Sequence, residues 1–266
     1  MNRVKIQLRK EKETLLVPLY CRALETRKKD PLIMDLKALE ILDRLDYEFM
    51  QLGITQQNCT SICRRACLFD DYAHKFIQDN PRSTVIYLGC GLDSRYYRLN
   101  NNKVTWYDLD FPDVIHLRKE FYRETTRYHM IPSSVTDLTW INKIRKRTGP
   151  VLVLAEGLFM YLREDEVKAL LLGLKTAFPG CQVVFDCFGS ITARDSQLDY
   201  SIRKTGAVVR WWLDDTRKIE GWGTGIRLIE EQALSSTRGK TGAYPPTAIN
   251  MARMPKSQRI LVVELK

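Results

Sequence analysis

The stretch Thr84–Leu99, TVIYLGCGLDSRYYRL, decides the fold of this chain. Val85–Leu88 is a short apolar run of β-forming residues, and Gly89-Cys90-Gly91 follows it directly. This order is typical of a buried parallel strand that ends in a turn and opens a helix. Glycines in such a turn let the backbone approach a ligand, because they have no Cβ and tolerate positive φ. The stretch therefore predicts a binding turn at the carboxyl end of a strand.

A second predicted strand follows the turn and ends in two acidic residues. The segment is Val104–Asp110, VTWYDLD, and its acids are Asp108 and Asp110. In α/β folds an acid about 20 residues after the glycine turn hydrogen-bonds a ribose hydroxyl. The two features together predict a site for a nucleoside-containing cofactor.

The overall composition is that of a soluble globular protein. Of the 266 residues, 44% are hydrophobic and 28% are charged, so the chain can bury a full core. The longest apolar runs, such as Val151–Ala155 with Gly157–Leu162, are too short to span a bilayer. The first 30 residues are charged and contain no apolar signal segment. We therefore expect a cytoplasmic protein that does not bind membranes.

The seven cysteines are an odd count, and they are scattered along the chain. This pattern indicates reduced thiols, as in the cytoplasm. Cys59, Cys63 and Cys67 recur every four residues, which places them on one stripe of a helix. A C-x3-C-x2-C cluster motif would need Cys at position 66, which is Ala. We expect a buried helical face here and no metal site.

The net charge of +10 raises the question of a nucleic-acid partner. Residues 1–30 carry nine Lys or Arg against four Asp or Glu, a surplus of five and half of the total. A second basic group consists of Lys143, Arg145, Lys146 and Arg147. Neither group is interleaved with aromatic residues as in base-stacking surfaces. We therefore predict no nucleic-acid partner; attraction of an acidic partner or substrate is the alternative to solvated helix faces.

The order of predicted elements indicates a doubly wound α/β fold. Residues 13–79 are predicted to be helical, and strands and helices alternate from residue 84 onward. The predicted strands are Val85–Leu88, Val104–Leu109, Tyr128–Ser133, Val151–Ala155 and Val183–Phe188, and the predicted helices between them are His116–Arg127, Asp137–Arg147 and Glu164–Phe178. We expect one Rossmann-like domain spanning 1–266. Its parts are a helical N-terminal extension (1–80), a cofactor-binding core (84–189), a lid insertion (190–225) and C-terminal strands that complete the sheet (226–266).

The glycine turn differs from a dinucleotide fingerprint. The third glycine of G-x-G-x-x-G is replaced by Ser94. Asp93 would repel a pyrophosphate but suits a ligand with an ammonium or sulfonium group. S-adenosylmethionine carries both and has no phosphate, so these residues favour it. A dinucleotide and a structural turn without ligand remain the alternatives.

Several blocks of the sequence resemble one family along nearly the whole chain. The blocks are Glu13–Tyr20 with Arg22-Ala23, Asp30-Pro31-Leu32-Ile33, Arg65 with Phe69-Asp70-Asp71, Gly89–Arg95, Asp108–Pro112 and Ala155–Leu162. The chain resembles the leucine carboxyl methyltransferase family, and in particular its bacterial branch of tetracenomycin-type polyketide O-methyltransferases. The resemblance implies a class I S-adenosylmethionine-dependent O-methyltransferase with a helical N-terminal extension and a late lid.

The resemblance also implies roles for residues around the cofactor. Gly89 and Gly91 would approach its methionine part, and Arg65 would hold its carboxylate, for which a guanidinium is well suited. Asp110 would bind the ribose. The adjacent Arg64 and the nearby Asp108 are the competing assignments.

Two further positions of the resemblance concern the adenine and the fourth strand. The family often has Asp-Leu-Arg-Asp after its third strand, whereas this chain has Ser134-Val135-Thr136-Asp137. Ser134 could still bond the adenine amino edge, and Val135 could pack on the ring. Glu156, which follows the fourth strand, would contact the cofactor, with capping of the next segment as the alternative.

The sequence says less about the methyl acceptor. We expect structural or surface roles for the three histidines, His74, His116 and His129, so the sequence identifies no catalytic base. The lack of a base favours an acceptor oxygen, carboxyl or phenolic, that ionises with little help. Tyr161 could face a small-molecule acceptor or form an aromatic wall. Arg210, Trp211, Trp212 and Trp222 are candidates for an acceptor lid, or for packing against the sheet. A protein carboxyl methyltransferase, a nucleic-acid methyltransferase and a non-catalytic cofactor-binding protein are the rival interpretations.

Overall fold

The computed structural model describes all residues except 1, 2, 7, 9, 100–102, 145, 146, 148, 199 and 235–257. Arg145 and Lys146 of the second basic group therefore lie outside the described residues, as does much of the predicted C-terminal region. Within the described part, none of the helices combines the length and the hydrophobicity needed to cross a membrane.

A seven-stranded sheet forms the centre of the molecule. Its strands are β3 (Thr84–Leu88), β4 (Thr105–Asp110), β5 (Tyr128–Pro132), β6 (Val151–Ala155), β7 (Cys181–Cys187), β8 (Ile226–Ala233) and β9 (Arg259–Leu265), and a separate parallel pair consists of β1 (Val4–Lys5) and β2 (Leu45–Asp46). The order in the large sheet is β5-β4-β3-β6-β7-β9-β8. β3 to β7 are parallel, and β9 runs antiparallel to both β7 and β8. The parallel part is the predicted doubly wound sheet, and the antiparallel edge formed by β9 and β8 was not predicted.

Eight α-helices are present in the described part of the chain. They are α1 (Leu16–Thr26), α2 (Leu36–Arg44), α3 (Gln56–Asp79), α4 (Arg95–Leu99), α5 (Pro112–Arg118), α6 (Glu164–Ala177), α7 (Ser190–Leu198) and α8 (Tyr200–Thr205). Alternate residues of β3 point to opposite faces: Val85 and Tyr87 join the core under the N-terminal helices, whereas Ile86 and Leu88 join the core under α6. The N-terminal extension therefore packs directly on one face of the sheet.

Two predicted helices are shorter in the structure. The predicted helix His116–Arg127 is α5, which ends at Arg118. The Thr125 hydroxyl accepts hydrogen bonds from the backbone N–H groups of Arg127 and Tyr128, and such local bonds compete with a helix. In place of the predicted helix Asp137–Arg147 there is a short 3-10 turn, Leu138–Lys143, capped by Asp137.

The predicted burial of three cysteines on one helix is confirmed. Cys59, Cys63 and Cys67 lie on α3 and are buried, as are the other four thiols. No group of three or more potential metal ligands is found among the described residues.

Candidate active site

A cavity of about 1060 Å³ lies at the carboxyl ends of the parallel strands. Its floor is formed by the segments that follow β3 to β7, and the N-terminal extension and the insertion form its walls. Ten predicted site residues line it: Arg65, Gly89, Gly91, Asp93, Asp110, Ser134, Val135, Glu156, Tyr161 and Arg210. The sheet topology thus brings together residues that are up to 145 positions apart, from 65 to 210.

The turn after β3 needs its glycines. Gly89 has φ +62° and Gly91 has φ +51°, in the region that disfavours residues with a side chain. A Cβ on Gly91 would lie 3.1 Å from the Cβ of Leu15, in the segment just before α1. The turn and the N-terminal extension therefore approach each other closely at the cavity wall.

Asp110 and Asp108 have different environments. Asp110 lines the cavity, and its two carboxylate oxygens accept hydrogen bonds from the backbone N–H groups of Gly91 (2.7 Å) and Phe111 (2.8 Å). Burial raises the pKa of Asp110 to about 6, although the two backbone donors oppose the shift. Asp108 instead lies in the core, where it pairs with the guanidinium of Arg118 and accepts a hydrogen bond from the hydroxyl of Tyr128. Only Asp110 faces the cavity with lone pairs to spare.

Arg65 is held by two carboxylates. Its Nε donates to Glu156 at 3.0 Å and its Nη1 to Asp186 at 3.3 Å. Gly157, with φ +65°, allows this close approach, because a Cβ there would be 3.0 Å from Nη2 of Arg65. Burial disfavours ionisation of Glu156, but Arg95 and Arg65 outweigh it and lower the pKa of this carboxyl. Arg64, the competing candidate, is not part of the cavity wall.

Asp93 has a different environment from the one that the sequence suggested. Its carboxylate accepts hydrogen bonds from Tyr87 (2.9 Å) and Arg98 (2.6 Å), and it forms ion pairs with Arg22 and Arg95. Burial opposes ionisation, yet these arginines hold the pKa of Asp93 well below its usual range. Because its charge is already compensated, Asp93 does not present a free negative charge that would repel a pyrophosphate. Contrary to the prediction from the sequence, Asp93 therefore does not favour S-adenosylmethionine over a dinucleotide.

Residues that follow β6 and β7 form much of the rest of the cavity. Met160 and Phe188 form a small apolar cluster with Ala193 of α7. The backbone N–H of Arg210 donates to the carbonyl of Met160 at 2.8 Å, which fixes the insertion beside Tyr161. None of the three histidines, all within the described residues, lines the cavity.

Residues 16–175 match the family model described as leucine carboxyl methyltransferase. This chain belongs to the leucine carboxyl methyltransferase family. It is 36% identical to the tetracenomycin polyketide synthesis O-methyltransferase TcmP of Streptomyces glaucescens, over 88% of this chain and 86% of that protein. It is 28% identical to the S-adenosyl-L-methionine-dependent methyltransferase dpfgK of Gibberella zeae, over 92% of this chain and 89% of that protein.

The fold is shared with more distant methyltransferases. A SAM-dependent methyltransferase from Anabaena variabilis superposes with a TM-score of 0.54 at 12% identity, covering 83% of this chain and 96% of that one. The predicted Rossmann-like methyltransferase fold is thereby confirmed.

Trp212, which we expected to contact the methyl acceptor, is not part of the cavity wall. Its side chain is 48% exposed, and it does not contribute to the cavity wall. Trp211 is buried and packs near Phe185 and Trp222 against the sheet, which was the alternative interpretation of these aromatic residues. Trp211 and Trp222 thus anchor the insertion to the sheet, whereas Arg210 faces the cavity.

The structure also identifies site residues that the sequence did not. Arg22 lines the cavity from α1, although it is almost fully buried between Asp35 and Asp93. Asp186, at the end of β7, accepts hydrogen bonds from Arg65, the Gly157 N–H and Gln258. Arg22 belongs to a block that the family resemblance had already marked, and Asp186 lies within the predicted strand Val183–Phe188. Their partners, however, are distant in sequence.

Proposed function

We propose that this chain transfers the methyl group of S-adenosylmethionine to a carboxyl or phenolic oxygen of a small organic molecule, such as a polyketide-like metabolite. The proposal rests on one observation: Asp110, Arg65 and the glycine turn line the same cavity as residues of the insertion. Membership of the family and the similarity to TcmP support the type of reaction and the acceptor class.

The residues of the cavity fit S-adenosylmethionine. Each carboxylate oxygen of Asp110 uses one acceptor position for a backbone N–H, which leaves lone pairs for the two ribose hydroxyls. Arg65 uses Nε and Nη1 for Glu156 and Asp186, so Nη2 can donate to the carboxylate of the methionine part. Ser134 and Val135 follow β5 at the cavity wall, where we place the adenine.

When bound, S-adenosylmethionine supplies a methyl group on a sulfonium for in-line displacement by an oxygen. The protein contributes alignment and exclusion of water. The paired carboxylates of Glu156 and Asp186 hold Arg65 in place before the ligand arrives, so little ordering remains to be done on binding. With no histidine on the cavity wall, an acceptor oxygen that is already ionised at neutral pH suits the site best.

Calorimetry tests the cofactor, and a transfer assay tests the reaction. We expect binding of S-adenosylmethionine and S-adenosylhomocysteine but not of NAD, and weaker binding by Asp110→Asn. Binding of NAD alone would overturn the cofactor assignment. Transfer of a labelled methyl group to small aromatic acids, but not to a peptide that ends in leucine, separates the proposal from a protein carboxyl methyltransferase. Tight cofactor binding with no transfer to any acceptor would indicate a non-catalytic protein.

A further inference from the structure

The charged residues of the cavity fall into two groups. Nine charged side chains line it: Lys12, Arg22, Arg65, Asp93, Asp110, Glu156, Glu166, Asp195 and Arg210. Seven of them already have partners among the described residues. Lys12 pairs with Asp113, Glu166 caps α6 through Arg163, and the other five form the contacts given above.

Asp195 and Arg210 are the two exceptions. Neither side chain forms an ion pair or hydrogen bond with any residue that the structure describes, nor do they pair with each other. Both residues are exposed. Both also come from the insertion, Asp195 from α7 and Arg210 from the segment after α8. The cavity thus presents one negative and one positive group that have no protein partner in the described part.

An apolar surface lies beside these two charges. Met160 and Phe188 line the cavity next to Ala193, which is on the same helix as Asp195. Val208, just before Arg210 in the chain, lines it as well. A ligand with a hydrophobic body can therefore pack here while its polar substituents reach the two charges.

We infer that Asp195 and Arg210 are specificity-determining residues that recognise two different substituents of the methyl acceptor. Arg210 binds an anionic oxygen substituent, and Asp195 accepts a hydrogen bond from a hydroxyl or amine substituent. The inference rests on the proposed function, since it concerns the acceptor of that reaction. It narrows the acceptor to an apolar body that carries both an anionic group and a hydrogen-bond donor.

The energetic reason is the cost of leaving a charge without a partner. When an acceptor fills the cavity, it removes water from both side chains. An acceptor that lacks the matching substituent leaves the charge poorly solvated and unpaired, whereas a matched one restores a charge-assisted hydrogen bond. The two residues therefore favour the correct acceptor and disfavour simpler analogues.

Three naphthalene probes test the inference on the full chain saturated with S-adenosylhomocysteine. A dihydroxynaphthoate carries both substituents, naphthoate carries only the carboxylate, and a naphthalenediol carries only the hydroxyls. We expect the wild-type protein to bind the dihydroxynaphthoate more tightly than either of the others. Arg210→Gln should weaken the binding of the dihydroxynaphthoate and of naphthoate about 10- to 100-fold, as expected for loss of a hydrogen bond to a charged group. It should change the affinity for the diol by less than about twofold. Asp195→Asn should weaken the two hydroxylated probes and leave naphthoate unchanged.

The controls separate this inference from the proposed function. Arg194→Gln removes an exposed arginine of the same helix that is not part of the cavity wall, and it should change no probe affinity. If the wild-type protein does not bind S-adenosylhomocysteine, the proposed function fails. If it does, the inference is overturned by equal affinity for all three probes, or by variants that weaken all three equally, because the residues would then only shape the cavity.

Discussion

Lowering the pH should weaken cofactor binding through Asp110. Burial raises the pKa of this carboxyl to about 6, against an ordinary value of 3.8. The proposed ribose contacts need the ionised form, because only a carboxylate accepts from both hydroxyls in addition to the two backbone N–H groups. Those hydroxyl donors would lower the pKa of Asp110 in the complex. Affinity should therefore rise with pH through about 6 and level off above it.

The size of the effect follows from the ionised fraction. With a pKa of about 6, roughly nine-tenths of Asp110 is ionised at pH 7 and roughly one-tenth at pH 5. The dissociation constant for S-adenosylhomocysteine should therefore increase by about tenfold between these pH values. Binding at pH 6 should release about half a proton, which appears as a dependence of the binding heat on the ionisation enthalpy of the buffer.

Asp110→Asn provides the control, measured by the same calorimetry. Its affinity should be low and nearly independent of pH. The variant should fold, because replacing the buried carboxylate removes an ionisation cost on the order of 3 kcal/mol at pH 7, whereas one backbone N–H loses its acceptor at about 1–3 kcal/mol. In the wild-type protein, the raised pKa means that protonated Asp110 contributes stability that is fully present below pH 3.8 and is lost as the pH rises through about 6. A wild-type affinity that stays constant from pH 7 to pH 5, or a slope that survives in Asp110→Asn, would refute the reasoning.

Three further changes test other parts of the structure. Gly157→Ala should lower the free energy of unfolding by about 1–3 kcal/mol, measured in urea, because residue 157 has a φ of +65°. It should also weaken cofactor binding, because the new Cβ would lie 3.0 Å from Nη2 of Arg65 and displace it; unchanged affinity would show that Arg65 needs no such space. Asp108→Asn should cost about 3–5 kcal/mol in the same urea experiment, since the buried Arg118 keeps its charge but loses the carboxylate that compensates it, and a loss below about 1 kcal/mol would contradict this. Trp212→Ala should leave acceptor affinity in calorimetry and stability nearly unchanged, whereas Trp211→Ala should cost about 3–5 kcal/mol; a large loss of acceptor affinity in the Trp212 variant would return this residue to the site.

The strands of the sheet could be predicted because each one is a local pattern. β6 was predicted with its observed ends, Val151–Ala155, since a parallel strand buried on both faces is an unbroken apolar run. Helix ends were less predictable. The predicted end at Arg127 was wrong because the side chain of Thr125 bonds the backbone locally, an interaction that periodicity does not report. The antiparallel direction of β9 depends on the route of the chain after the insertion, which no local pattern contains.

For the proposed cofactor side of the cavity, the sequence predicted which residues line the wall but not how their charges are paired. The glycine turn, Asp110 and Glu156 directly follow strands or end them, so topology alone brings them to one edge. Asp93 was interpreted as an isolated acid, because the arginines that compensate it come from positions 22, 95 and 98. Pairing between α1, α4 and the turn is a tertiary property. A sequence shows which charges exist, and only the fold shows which of them are already neutralised.

This difference in pairing also indicates where acceptor specificity can change. On the cofactor side the charges are buried and shared, so removing one leaves its partners uncompensated at about 3–5 kcal/mol, a large part of the stability of a domain. Asp195 and Arg210 are exposed and have no partner among the described residues, and substitutions at such positions usually change stability by no more than about 0.5 kcal/mol. A different acceptor can therefore be accommodated by changing the insertion, while the residues around the cofactor stay as they are. If Asp195 and Arg210 recognise the acceptor as we infer, changes at these two positions should alter which molecule receives the methyl group without affecting the binding of the methyl donor.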